Sequence, residues 1–129
     1  MSLELVVRKL RDAQYYLTEW GKLEVSETNL INRAYREIVE AIAQLERLKG
    51  KIPEHRKRGI MERLREAARR LKEAVSELGR GRRNPAEYHI MYSRRLLADV
   101  LRDVLRERAR ILREMLDRLI ERLREARYG

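Results

Sequence analysis

Few side chains in this sequence carry reactive or ligating chemistry. There are two histidines, His55 and His89, and no cysteine. The histidines lack the Glu-x-x-His spacing of a ferritin-like two-metal site. Without thiols there is no disulfide framework and no thiolate metal site. Nothing around His89 supports a role as a lone haem ligand. Ser26, Ser76 and Ser93 have no base partner evident in the sequence. No Walker loop, Gly-x-Gly-x-x-Gly or Gly-x-Ser-x-Gly occurs. The abundant reactive group is guanidinium. Lys and Arg total 31 against 21 Asp and Glu, for a net charge of +10. Two runs, His55-Arg56-Lys57-Arg58 and Arg80-Gly81-Arg82-Arg83, have almost no local acid. A guanidinium fork bonds phosphate oxygens two at a time. Gly79 and Gly81 would let the backbone approach a phosphate and donate its own N–H groups. Helix starts near Pro53 and Asn84 add dipole ends that favour anions. This is the chemistry of holding an anion, not of making or breaking a bond.

The charge is unevenly placed. Residues 1–48 sum to −1, residues 49–83 to +8 and residues 84–129 to +3. Such an excess in one segment points to a polyanionic partner, against the plainer reading of solubility and intrahelical ion pairs. Charged residues make up 40% of the chain, with arginine well ahead of lysine. That balance fits a heat-adapted or designed helical protein.

These groups must be positioned by helices, since the apolar residues step by threes and fours throughout and no strand pattern appears. The expected fold is all-α: one domain, a four-helix antiparallel bundle-like unit with an overlong C-terminal helix. The helices are expected at about 3–21, 26–49, 54–78 and 85–127. Leu3, Val6, Val7, Leu10, Gln14 and Leu17 share a face of the first. Gly21 ends it, Leu23 to Val25 connect, and Ser26 caps the second. Gly50 stops the second helix, Lys51-Ile52-Pro53 turns into the third, and Gly59 leaves the third helix's first turns uncertain. Asn84 as cap, Pro85 at the first position and Glu87 as capping-box acid start the fourth. From Pro85 onward no glycine intervenes until Gly129. A helix of about 43 residues is roughly 64 Å long, too long for a domain of this size. Either the first helix lies in line with the second, both along the fourth, or the excess packs against another subunit.

On the fourth helix an apolar lane runs through Ile90, Leu97, Leu101, Val104, Leu105, Leu112, Met115, Leu116, Leu119, Leu123 and Ala126. Beside it run Arg95, Arg102, Arg106, Arg113, Arg124 and Arg127, with an acid lane from Asp99 to Glu125 beyond. The third helix repeats the layout with Arg58, Arg65, Arg69 and Lys72 beside Glu62, Glu66, Glu73 and Glu77. Pairs at i,i+3 and i,i+4 account for these lanes but not for the basic connectors. Arg94 and Arg108 fall inside the apolar lane, where pairing with an acid or snorkelling is expected.

Two resemblances bear on function. Arg83-Asn84-Pro85-Ala86-Glu87-Tyr88-His89 resembles the Arg-x(4–6)-His signature of HEPN ribonucleases, small all-α dimers. The likeness implies RNA cleavage at a dimer interface, with Arg83 on the scissile phosphate and His89 as acid–base. It covers seven residues, and the proline inside it and the long helix after it depart from the family pattern. The composition as a whole is similar to that of the helical coat proteins of filamentous archaeal viruses, which assemble as repeated dimers around DNA. Arg80, Arg82, Arg83 and the lane from Arg95 to Arg127 are compatible with that likeness, and no motif carries it.

The expectation is a non-enzymatic basic protein that self-assembles through its long helix. It would hold nucleic-acid phosphate backbone, DNA ahead of RNA, without reading sequence, in a packaging, coat or architectural role. The expected contacts are Arg56, Lys57, Arg58, Arg65, Arg69, Arg80, Arg82 and Arg83, then Arg95, Arg102 and Arg106. The alternatives are the ribonuclease and a helical bundle for assembly or ligand capture near Tyr35, Tyr88 and Tyr92. No cofactor, metal or membrane partner is expected. The absence of a recognisable leader or spanning segment suggests an intracellular or virion setting.

Overall fold

A computed structural model describes residues 2–20 and 26–128, and these residues are all-α. Four helices follow in order: α1 (Ser2–Thr18), α2 (Glu27–Glu46), α3 (Glu54–Gly79) and α4 (Arg83–Tyr128). No strand occurs among the described residues. Gly21 and the connector over 23–25 lie outside them.

Each helix forms because its apolar residues fall on one face. The core draws Leu3, Val6, Leu10 and Leu17 from α1 and Ile31, Ala34, Ile38 and Leu45 from α2. It draws Ile60, Leu64, Ala67 and Leu71 from α3 and Ala86, Ile90, Leu97 and Val104 from α4. α1 packs on α2 and α4, and α3 packs on the same two, so α1/α3 and α2/α4 are the diagonals. Cross-helix bonds give the directions. Asp103 of α4 meets Arg63 of α3 at 2.5 Å, while Ser93, earlier on α4, meets Ala67, later on α3. Arg108 reaches Glu4 at the start of α1, while Ile90 and Met91 share a cleft with Leu17 and Trp20 at its end. The result is the expected antiparallel four-helix bundle with an overlong last helix. The end-to-end alignment of the first two helices does not occur, since α1 lies beside α2.

Helix ends differ from expectation where local bonds decide. α4 begins at Arg83, ahead of Pro85, and the Ala86 N–H bonds Arg82 O at 3.4 Å. Asn84 and Pro85 therefore sit in the first turn, and Glu87 turns back to Arg83 at 3.1 Å instead of closing a capping box. Gly59 leaves α3 uninterrupted. The end of α3 is a Schellman closure: the Gly81 N–H bonds Leu78 O and the Arg82 N–H bonds Glu77 O, at 3.0 and 2.8 Å. Gly81 has φ 75°, the left-handed conformation this closure requires. Between α2 and α3, Leu48 and Ile52 are buried and plug the end of the bundle. No helix among the described residues is long and apolar enough to cross a membrane.

The buried face of α4 is a strict heptad seam: Ala86, Ile90, Ser93, Leu97, Val100, Val104 and Glu107. Its next members, Ile111 apart, are Glu114, Arg118, Glu121 and Glu125, so the core stops where the seam turns polar. Beyond Ile111 the helix runs on as a bare rod of about 26 Å.

Candidate functional site

The rod carries the most conspicuous unpaired surface of the molecule. Leu112, Met115, Leu116, Leu119, Ile120 and Leu123 are 46–62% exposed. The apolar lane read from the sequence is thus two lanes about 100° apart. One is the bundle seam. The other passes through Met91, Arg94, Ala98, Leu101, Leu105 and Arg108 and emerges on the rod at Leu112, Leu116, Leu119, Leu123 and Ala126. Within the bundle this second lane borders α1. Met91 and Arg94 share a cleft with Leu17 and Trp20, and Leu101 and Leu105 pack against the core. Arg108 is tied to Glu4 by both carboxylate oxygens at 3.1 Å, the acid pairing its place in an apolar lane required. Past Arg108 none of the described elements covers the lane.

The basic residues expected to contact phosphate are largely spoken for. Arg56 meets Glu107 at 2.5 Å, Lys57 meets Glu54 at 3.5 Å, and Arg65 meets Glu46 at 3.7 Å. Arg69 is held by Glu66 and Glu73, while Arg80 and Arg82 both turn to Glu77. Arg83 bonds Glu27 and Glu87 at 3.0 and 3.1 Å and stacks on Trp20. Arg102 meets Asp99 at 2.7 Å and Arg106 meets Asp103 at 3.9 Å. Of the expected contacts, only Arg58 and Arg95 make no ion pair among the described residues. The connectors are not free of acid: Glu54, Glu77 and Glu87, close in sequence, take Lys57, Arg80, Arg82 and Arg83, and only Glu107 and Glu27 come from distant positions.

Geometry also separates the two basic connectors. They lie at opposite ends of α3, about 39 Å apart. The backbone donors expected at Gly81 are unavailable to a phosphate, because the N–H groups of Arg80, Gly81 and Arg82 all bond carbonyls of α3. Arg94 and Arg95 remain open to an anion. They line a cleft of about 380 Å³ with Gln14, Thr18, Met91 and Ala98, and no acid lines it.

His89 and Arg83 are occupied separately. Arg70 Nη1 lies 3.1 Å from His89 Nδ1, and His89 Nε2 lies 3.3 Å from Glu73. Because guanidinium only donates, Nδ1 must accept, which leaves the proton on Nε2 facing the carboxylate. Arg70 also lies 4.2 Å from the ring centroid of Tyr92 and bonds Glu66 at 3.0 Å. This cluster locks α3 to α4 and was missed in the sequence, whose only cue was the Glu66–Arg70 spacing. Arg83 points the other way, to α2 and Trp20, so the chain does not bring the two together.

Two further groups were unforeseen. Glu107, placed by the sequence in the acid lane of the fourth helix, is buried between Arg56 and Arg110. Arg110 also bonds Glu114 and Lys51 O at 2.9 and 2.8 Å, fastening the α2–α3 turn to the base of the rod. The Glu107 bond first, and Glu114 after it, raise the Arg110 pKa above its ordinary value. Bonding to Arg69 holds the Glu66 carboxyl at about 2, with partial burial opposing and Arg70 assisting. Among the described residues no group of three or more His, Cys, Asp or Glu could hold a metal ion.

Compared with protein-family models, curated proteins and solved structures, the chain matches none.

Proposed function

We propose that this chain is a non-enzymatic assembly protein whose α4 rods join copies, and whose basic surface holds nucleic-acid backbone without reading bases. The observation that carries the reading is the apolar lane from Leu112 to Leu123, half-exposed outside a bundle whose own core is complete. Six large apolar side chains would not be kept in water on a rod unless something covers them. Covering them is worth about 1 kcal/mol each for the half still exposed, or about 12 kcal/mol for two copies. Association itself costs about 4–15 kcal/mol. The rods alone therefore support micromolar association at best, which suits assembly reinforced by a shared polymer.

Nucleic acid supplies such a polymer for a chain of net charge +10. Among the expected contacts its phosphates would meet Arg58 and Arg95 first, with Arg94 beside Arg95, because the other expected contacts must surrender a carboxylate before gaining a phosphate. The experiment is a salt titration of binding to unrelated duplexes. Engagement of those three arginines alone gives a log–log slope of about −3, and engagement of all the sequence-expected contacts about −10. A flat response removes nucleic acid from the proposal and leaves assembly standing.

A further inference from the structure

Resting on that assembly reading, the partner on the rod can be specified. We propose that two α4 rods pair antiparallel, in one register: Leu112 opposite the partner's Leu123 and Leu116 opposite the partner's Leu119.

Three observations converge on this arrangement. Leu112, Leu116, Leu119, Leu123 and Ala126 alternate by four and three, the repeat of a two-helix seam. On the bundle side of Arg108 the same lane is occupied by α1, tied there through Glu4. Paired helices lie only 8–10 Å apart. Parallel rods joined along this lane would meet two α1 helices, one from each copy, standing between the α4 helices just below the seam. α4 is a single uninterrupted helix and does not splay to admit them. An antiparallel partner instead fills the open space in line with α1, and the two bundles lie at opposite ends.

The flanking charges then fix the register. The seam is edged by Arg106, Arg113, Ile120 and Arg127 on one side and by Met115 and Arg122 on the other, while Glu114, Asp117, Glu121 and Glu125 lie on the far face. The stated register keeps a like-charge approach at the tip of the rod, Arg127 beside the partner's Arg106. In the stated register Arg113 lies beside the partner's Ile120 and Arg122 beside the partner's Met115. The arginine stems cover apolar groups and their heads reach water. A shift of one heptad either way sets Arg113 against Arg113 or Arg122 against Arg122, like charges across a seam.

The chain has no cysteine, so engineered cross-links report directly. Leu112→Cys and Leu123→Cys are prepared separately, then oxidised alone and as an equal mixture. Only the mixture is expected to link, since like positions lie about 16 Å apart along the pair and a disulfide needs Cα atoms within about 7 Å. Self-linking of each single variant would show parallel rods and overturn this inference while leaving assembly intact. A protein that stays monomeric at every concentration would overturn both. Should the cysteine variants lose helix, solution scattering of the unaltered chain decides. The antiparallel pair spans on the order of 100 Å with a mass at each end, and a side-by-side pair about 70 Å; the shorter span overturns the proposal.

Discussion

Ser93 shows how much of this fold rests on small side chains. It is fully buried on the α3–α4 seam, and its Oγ donates to Ala67 O at 3.1 Å. Ala67, Ala74 and Ala86 are fully buried as well, so a larger side chain at 93 must displace packed neighbours. Ser93→Leu is therefore expected to cost about 1–3 kcal/mol by overpacking, read as a lower midpoint in urea at unchanged slope. Glu66 makes a different prediction. Its folded pKa is depressed to about 2, chiefly by the Arg69 bond. Its stabilisation is thus complete above the unfolded value near 4.5 and is lost as pH falls through about 2. The side chain is 32% exposed, so solvent screening holds the effect to less than about 1 kcal/mol. The melting-temperature gap between the unaltered chain and Glu66→Gln should close over that acid range and stay constant above it. At this scale the sequence was only partly legible. The i,i+3 and i,i+4 pairs were readable from spacing. Arg83–Glu27, Arg56–Glu107 and Arg70–His89 join residues 19 to 56 positions apart, and only the folded topology reveals them.

The elements were far more legible, and the reason is periodicity. The helix count, the antiparallel order and the overlong last helix all follow from apolar steps of three and four, punctuated by Gly50, Pro53 and Gly81. α4 was misread in one respect. Steps of three and four do not distinguish one lane from two lanes 100° apart, so the bundle seam and the rod seam merged. The polar turn of the bundle seam at Glu114 and Arg118 was the signal that separates them. The separation has a consequence. The rod's apolar residues contribute nothing to the bundle core, which is complete by Ile111. Replacing Leu116 and Leu119 together by lysine should leave the bundle's stability within about 0.5 kcal/mol and abolish association. If the double variant instead unfolds the bundle, the rod is part of the core and this division of α4 is wrong.

Across the whole molecule, the net charge of +10 proved a poorer guide than its pairing. The expected polyanion surface joined two basic connectors that the fold holds at opposite ends of α3, most of their guanidiniums already matched to carboxylates. What the bundle leaves uncovered among the described residues is an apolar face: a rod projecting about 26 Å beyond a finished core. The proposed assembly rests on that uncovered face, and Arg58, Arg94 and Arg95 are a secondary feature. The most direct test is sedimentation of the unaltered chain over a wide concentration range in the absence of nucleic acid. The account predicts a mass that rises from 15.5 kDa towards twice that value at micromolar to millimolar concentration. A mass fixed at 15.5 kDa up to the highest soluble concentration would contradict it.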